Sequence, residues 1–445
     1  MPDNAKPKRQ LVLGVFLTRH GHHPGAWRQP DSPGGGDPDF EAWLHLARIA
    51  ERGKLDSVFF ADFVGMGADD VRGIASRPAG GGFDPLPLIS ALAVTTRNIG
   101  LIATVNTNFS HPYTLARQMA SIDHLSDGRV GWNVVSSLSP GSIRTFGVEP
   151  LDHAGRYERA AEFIELAKKL WDSWDDHAFD HPDKSSGRFL DPGAVHPVNH
   201  RGRHFSVESV LDVARPVQGY PVFVQAGNSE AGRDFAAHHA EMIYAAAQFV
   251  EDARSFYDDV KGRMAAFGRS PDQIKITPGL SFAIGRTEAE AREKFEALQA
   301  NVDFSGPVEL MGEDVSHLPL DEPLPDNLVI PENGKGRWEQ VIRLGKRESL
   351  TLRQLILRYN VVRGHRVVVG TPGQVAGQIE DWFQRGVVDG FNLIPPLNPG
   401  FLEDFVDLVV PELQRKGIFR TEYEGNTLRE NLGLDRPANQ HAAGG

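Results

Sequence analysis

The sequence contains no cysteine, which removes disulfides, thiolate metal sites and thiol nucleophiles together. No apolar run approaches the ~20 residues that a membrane-spanning helix needs. The amino-terminal MPDNAKPKRQ leads only into the short run Leu11–Val15 and lacks a small-residue cleavage site. A cytoplasmic protein without membrane association is expected. Basic residues form no stripe: 47 Lys and Arg stand against 59 Asp and Glu, a net charge of −12, which disfavours a nucleic-acid partner. Also missing are a G-x-G-x-x-G fingerprint, a phosphate-binding lysine loop and a G-x-S-x-G elbow. The 17 histidines include no H-x-E-x-H pattern and no facial triad with acids, so no metal is expected.

What remains is a chain of 445 residues, 40% hydrophobic and 24% charged, an ordinary globular composition. At ~150 residues per domain the length suggests about three domains, but one α/β barrel with insertions also reaches it. The most informative stretch is Ala103–Ser137. The apolar run Ile99–Val105 reads as a strand that ends in Asn106, Thr107 and Asn108. Leu115, Met119, Ile122 and Leu125 put one apolar face on a helix, which Asp127-Gly128 stops. Val130–Val135 reads as a second strand, ending in Ser136 and Ser137. Two strands joined by a helix make the unit of a parallel sheet, whose ligand sites lie at the carboxyl ends of strands. Asn106, Asn133, Ser136 and Ser137 are therefore candidates for binding something small and polar.

The same alternation runs through the chain. Further strands are expected at 11–17, 57–61, 221–226, 242–246, 274–284 (interrupted at Pro278-Gly279) and 390–394. Helices are expected at 39–52, 85–96, from Tyr157 to Trp171, from Ser229 to His239, and at 250–267, 287–300, 349–363, 371–386 and 401–416. Eight strands alternating with helices point to an α/β fold, a single (β/α)8 TIM-type barrel over 1–445. Inserts fall at 63–83, 175–205 and 303–348. The last has no period and reads as structureless, the mark of a lid or binding loop. The polar tail 419–445 either crosses the barrel or frays.

Several side chains stand where a ligand would meet the strand ends. Gly227-Asn228-Ser229 opens a helix, so Ser229 is an N-cap, part of an anion site, or both. His153 and Tyr157, four apart with Arg156 between them, face one ligand, or Tyr157 is core and His153 loop. Asp62 ends the second strand after Phe59-Phe60 as a ligand contact or a hydrogen-bond hub.

Longer segments carry a resemblance. GHHPGAWRQP at 21–30, FFAD at 59–62, ARQMASIDHLSDGRVGWNVVSS ending at Ser137, HAGRYERAAEF at 153–163 and QAGNSEAGRDFAAHHAE at 225–241 are joined near the carboxyl end by GTPGQVAGQIEDWF, DGFNLIPP and FVDLVVPELQRKGIFRTEYEGNTLRENLGL. Together they resemble the flavin-dependent monooxygenases of the bacterial luciferase superfamily. The branch is that of the nitrilotriacetate, EDTA, dibenzothiophene-sulfone and dimethyl-sulfide monooxygenases. The resemblance implies a TIM-like barrel binding FMN at its strand carboxyl ends. Asp62, Thr104, Asn106, Asn133 and Ser137 would line the isoalloxazine side, and His153, Tyr157 and Ser229 would hold the ribityl chain and phosphate. Asn106 and Asn108 stand where relatives often carry Ser and Thr, and Ser136 where they often carry Thr.

The resemblance further implies a two-component monooxygenase. A separate NAD(P)H-dependent flavin reductase supplies reduced FMN, and O2 forms a flavin C4a-hydroperoxide. That species oxygenates a small organic compound, an organosulfur, an aminopolycarboxylate or similar. The insert 303–348 would be the lid. His20, His23, Trp27 and Arg28 would sit near the substrate, with Arg28 binding an anionic group or forming a structural ion pair. Homo-oligomers are common among such proteins. Two readings stand beside this one: a deazaflavin-dependent oxidoreductase of the same superfamily, and a non-catalytic flavin-binding protein.

Overall fold

The computed structural model describes residues 9–34, 38–65, 82–302, 304, 308–310, 313–325, 328, 335–359 and 364–442. Most of the expected insert 63–83 lies outside them. Nine strands form one parallel sheet: β1 (Val12–Phe16), β2 (Ser57–Phe60), β3 (Gly100–Asn106), β4 (Val130–Val135), β5 (Val222–Gln225), β6 (Met242–Ala245), β7 (Lys275–Ile284), β8 (Arg366–Gly370) and β9 (Gly390–Leu393). Without β8 the order is β7-β9-β1-β2-β3-β4-β5-β6, and a β6–β7 pairing closes it into a barrel.

Helices α1 (Phe40–Arg52), α2 (Pro85–Thr95), α3 (Pro112–Leu125), α4 (Pro140–Phe146), α5 (His153–Trp171), α6 (Glu230–His239), α7 (Val250–Arg263), α8 (Glu288–Gln299), α9 (Lys335–Glu348), α10 (Leu352–Tyr359) and α11 (Pro372–Gln384) follow the strands. A helical run covers Gly400–Arg415, and α12 is Leu428–Leu432. Among the described residues no helix is long and apolar enough to cross a membrane.

Local chemistry accounts for most boundaries. Pro112 takes the first turn of α3, where its missing N–H costs nothing, and the His111 ring accepts the Tyr113 N–H at 3.3 Å. Leu125 is 52% exposed, against expectation. At 100° per residue it sits about 80° round the helix from Leu115, and Ala116 and Ala120 fill the buried stripe in its place. β7 runs unbroken through Pro278-Gly279. Its pairing with β6 ends at Pro278, and pairing with β8 begins at Leu280. The missing proline donor therefore falls where one ladder hands over to the next.

Three segments differ from expectation. The sequence pattern places no element at β8, yet the run Val367–Val369 pairs with β7 outside the closed ring. The insert 303–348 is not structureless where it is described. It carries α9 and a short hairpin pairing Glu309–Leu310 with Glu313–Asp314. Its apolar positions, Trp338, Val341 and Leu344, are thinly spread among charges, yet they pack with Leu352, Leu355 and Tyr359 in a separate core. The excursion 175–205 ends in a hairpin, Val198–Arg201 against Ser206–Ser209.

The tail does not fray over its described residues, 419–442. Leu428, Leu432 and Leu434 join Val12, Ile102, Val222 and Met242 inside the barrel and close its amino-terminal end. Room for them is made by glycine: a β-carbon on Gly100 would lie 2.5 Å from Leu428 Cδ1. Burying one leucine in this way contributes about 1.5–3 kcal/mol. Ion pairs fasten the plug. Arg420 meets Asp56 at 2.6 Å, and Arg429 meets Glu241 at 2.6 Å. With the bottom sealed, the carboxyl ends of the strands are left as the open face.

Candidate functional site

The mouth has an aromatic floor. Inward-facing Phe16 and Phe59 pack edge-on at 4.9 Å between centroids, and Phe59 meets Tyr244 at 4.5 Å. Burial pushes the Tyr244 phenol well above its usual range, so it stays neutral. Such a floor excludes water from beneath whatever flat group rests on it.

One wall is polar. Thr104 and Asn133 lie opposite each other in the β3–β4 register, and Asn133 Nδ2 donates to Thr104 Oγ1 at 3.0 Å. Asn133 is 3% exposed, and its Oδ1 accepts no hydrogen bond. A buried carbonyl left so costs about 1–3 kcal/mol, which a donor from a ligand would recover. Asn106 is committed elsewhere. Its Nδ2 donates to the Ser137 carbonyl at 2.7 Å and its Oδ1 accepts the Asn108 N–H at 2.9 Å. Asn108 in turn donates to the Ser136 carbonyl at 2.9 Å. These bonds tie the loop after β3 to the loop after β4.

A second cluster forms where β5 passes into α6. Ser229 caps α6, its Oγ accepting the Gly232 N–H at 3.1 Å. Tyr157, from α5, brings its hydroxyl to the same turn. A β-carbon on Gly232 would lie 2.9 Å from Tyr157 Oη, and one on Gly227 would lie 3.0 Å from it. His153 packs edge-on against Tyr157 at 5.1 Å. Tyr157 thus stands between His153 and the Ser229 turn, with its ring packed against the core. Sequence reasoning missed the glycines that let the hydroxyl approach, though their G-x-x-x-x-G spacing at 227 and 232 is a readable signal. It also missed Gln225, whose Oε1 accepts the Gly227 N–H at 2.7 Å and shapes the turn. Asn228 Oδ1 and Arg156 Nε are buried there without a partner. The first N–H groups of a helix have no acceptor of their own, so this turn suits an anion.

The first loop is zipped to the loop after β9. His22 and His23 donate their backbone N–H groups to the carbonyls of Pro395 and Pro396 at 2.9 and 3.0 Å. Gly21 has φ +99°, and a β-carbon there would lie 2.5 Å from Leu397 Cα, so only glycine fits. His20 Nδ1 lies 2.9 Å from Ser32 Oγ. Arg28 is turned outward, donating to the Asn301 carbonyl at 3.0 Å beyond the end of α8. Asp62 is half-buried after β2; burial, then the nearby charge of Asp84, raises its pKa above the usual range.

His23 is buried, its Nδ1 accepting the Gly25 N–H at 3.0 Å. Burial lowers its pKa from 6.5 to about 4. The unfolded chain therefore takes up a proton near pH 6.5 that the folded chain refuses until about pH 4. This contribution is intact above the unfolded pKa and is lost as the pH falls. Roughly 2 kcal/mol should disappear between about pH 7.5 and 5. Urea unfolding of the wild type and His23→Gln at both pH values checks this, and equal pH dependences would falsify it.

Among the described residues no group of three His, Asp or Glu is placed to hold a metal ion. Residues 14–389 match the model of the luciferase-like monooxygenase family. The chain belongs to that family. It is 43% identical over 442 residues to N-acetyl-S-(2-succino)cysteine monooxygenase of Bacillus subtilis, covering 98% of this chain and 99% of that protein. It is equally 43% identical, over 448 residues, to nitrilotriacetate monooxygenase component A of Aminobacter aminovorans, covering 98% of each. Its structure resembles a riboflavin lyase solved with modified FMN and riboflavin, with a TM-score of 0.81 and 30% identity over 96% of each chain. The designation component A in one relative implies a separate partner component for that protein.

Proposed function

We propose that this protein is the oxygenase of a two-component system. It receives reduced FMN from a separate NAD(P)H-dependent flavin reductase and oxygenates a small organosulfur or aminopolycarboxylate compound. The observation that carries this reading is the convergence of Tyr157, Ser229, Gly227 and Gly232 on the first turn of α6, next to the strand bearing Asn133.

The residues present fit FMN. The α6 turn with the Tyr157 and Ser229 hydroxyls suits a phosphate. The buried Asn133 Oδ1 and Asn228 Oδ1 lack donors, and a flavin offers ring N–H and ribityl O–H groups. When bound, reduced FMN supplies the activation of O2 and the transfer of one oxygen atom to the substrate. The chain's own part is to hold and shelter it. Tyr157 and Ser229 fix the phosphate end. Thr104 orients Asn133 toward the ring. Phe16, Phe59 and Tyr244 keep water from below.

Anaerobic titration with reduced FMN, followed by O2 and each compound class in turn, tests the reading. Flavin reoxidation that yields only hydrogen peroxide with every compound would reject it. Ser229→Ala should weaken FMN binding by about 1–2 kcal/mol, roughly 5- to 30-fold in Kd. An unchanged Kd removes Ser229 from the phosphate site.

A further inference from the structure

The wall of the mouth opposite β3 and β4 is formed by β7 and β9, on the far side of the ring. On it, Gly279 faces inward. Its neighbours Leu280 and Phe282 pack outward into the core beneath the helices. A β-carbon built on Gly279 would lie 2.6 Å from Ile394 Cδ1 and 2.6 Å from His365 Cγ. The imidazole of His365 therefore occupies the interior space that a side chain at 279 would fill.

His365 is held there by its backbone. Its carbonyl accepts Gln248 Nε2 at 2.8 Å, and Arg366 Nη1 donates to the Gln248 carbonyl at 3.0 Å. Both bonds anchor the start of β8 to the segment that follows β6. The same wall carries Ser281 Oγ and Asn392 Oδ1, buried and without partners. Asn392 is opposite Gly279 in the register. This wall thus mixes an imidazole, a hydroxyl and a carboxamide in a position where barrel interiors usually hold branched aliphatics.

We propose that His365 is a substrate-contacting residue. Its imidazole hangs in the space left by Gly279 and hydrogen-bonds a heteroatom or carboxylate of the substrate. It does so from the wall opposite Thr104 and Asn133. This inference rests on the proposed function, which puts the flavin on the β3–β4 side. Glycine at 279 is then a requirement of the site, and His365→Asn and Gly279→Ala should share a phenotype.

The chain has no cysteine, so His365→Cys carries a single thiol. FMN binding by this variant is measured first, by fluorescence quenching. Methyl methanethiosulfonate labelling is then followed by mass spectrometry with and without saturating FMN. The introduced thiol should label in the free protein, and bound FMN should slow it at least tenfold. FMN bound with no change in labelling overturns the inference. Loss of FMN binding in the variant alone overturns it too, by placing His365 on the flavin. No FMN binding, in the variant and the wild type alike, overturns the proposed function instead. In turnover with nitrilotriacetate and N-acetyl-S-(2-succino)cysteine as probes, His365→Asn and Gly279→Ala should each raise KM at least tenfold. The Kd for FMN should stay within twofold. An unchanged KM for a probe that the wild type oxygenates also overturns the inference.

Discussion

Arg429→Ala should cost about 3–5 kcal/mol of stability, because it strands a partly buried carboxylate under the barrel. Arg429 is 2% exposed; Nη1 and Nη2 reach the two oxygens of Glu241 at 2.6 and 2.8 Å, and Nε donates to the Tyr220 carbonyl at 3.0 Å. Glu241 also accepts the Phe223 N–H at 3.1 Å at the base of β5. Losing the guanidinium loosens α12, and Leu428 leaves its place beneath Gly100. Urea denaturation followed by circular dichroism measures the effect. A loss under about 1 kcal/mol would mean that the plug adds nothing to the cooperative unit of the barrel.

Gly232→Ala should have the second large effect, on ligand binding. The added carbon would meet Tyr157 Oη at 2.9 Å and Ser229 Oγ at 3.1 Å, so at least one of the two hydroxyls must move. Losing charge-assisted bonds to a phosphate should cost about 3 kcal/mol, roughly 100-fold in Kd. Gly262→Ala serves as the control. Nothing lies within 4 Å of its added carbon, and α7 should gain up to about 1 kcal/mol in stability. Calorimetric titration with FMN compares the two. If Gly232→Ala binds within threefold of wild type, the α6 turn does not hold the phosphate.

The barrel was legible because its signals are local. Apolar runs ending in polar residues place the strands of the closed ring to within a residue or so at each end, and β7 differs mainly in being continuous through Pro278. β8 was not legible, since three valines between two helices carry the same local signal whether or not a distant strand pairs with them. α9 was hidden by dilution, with three buried apolar groups among many charges. At the site, Ser229 and Tyr157 could be proposed because hydroxyl and helix start lie in motifs. Asn106 could not be told from Asn133 by sequence. Both end or line a strand, and only the register shows that one spends its amide on the neighbouring loop while the other keeps an acceptor free. His365 and Gly279 lie far apart in the chain, and no local pattern announces that β7 and the start of β8 bring them together.

The first strand of the barrel pairs with β2 on one side, but its partner on the other side comes only much later in the chain, Val12 beside Gly390, and the plug comes later still. On a ribosome working at ~5–20 residues per second, β1 therefore waits on the order of 20–75 s for β9, its second neighbour. Until then the nascent sheet has two unpaired edges and no plug beneath it. Closure cannot come before β9 has been made, and shielding of those edges until then becomes a demand that the fold places on the cell.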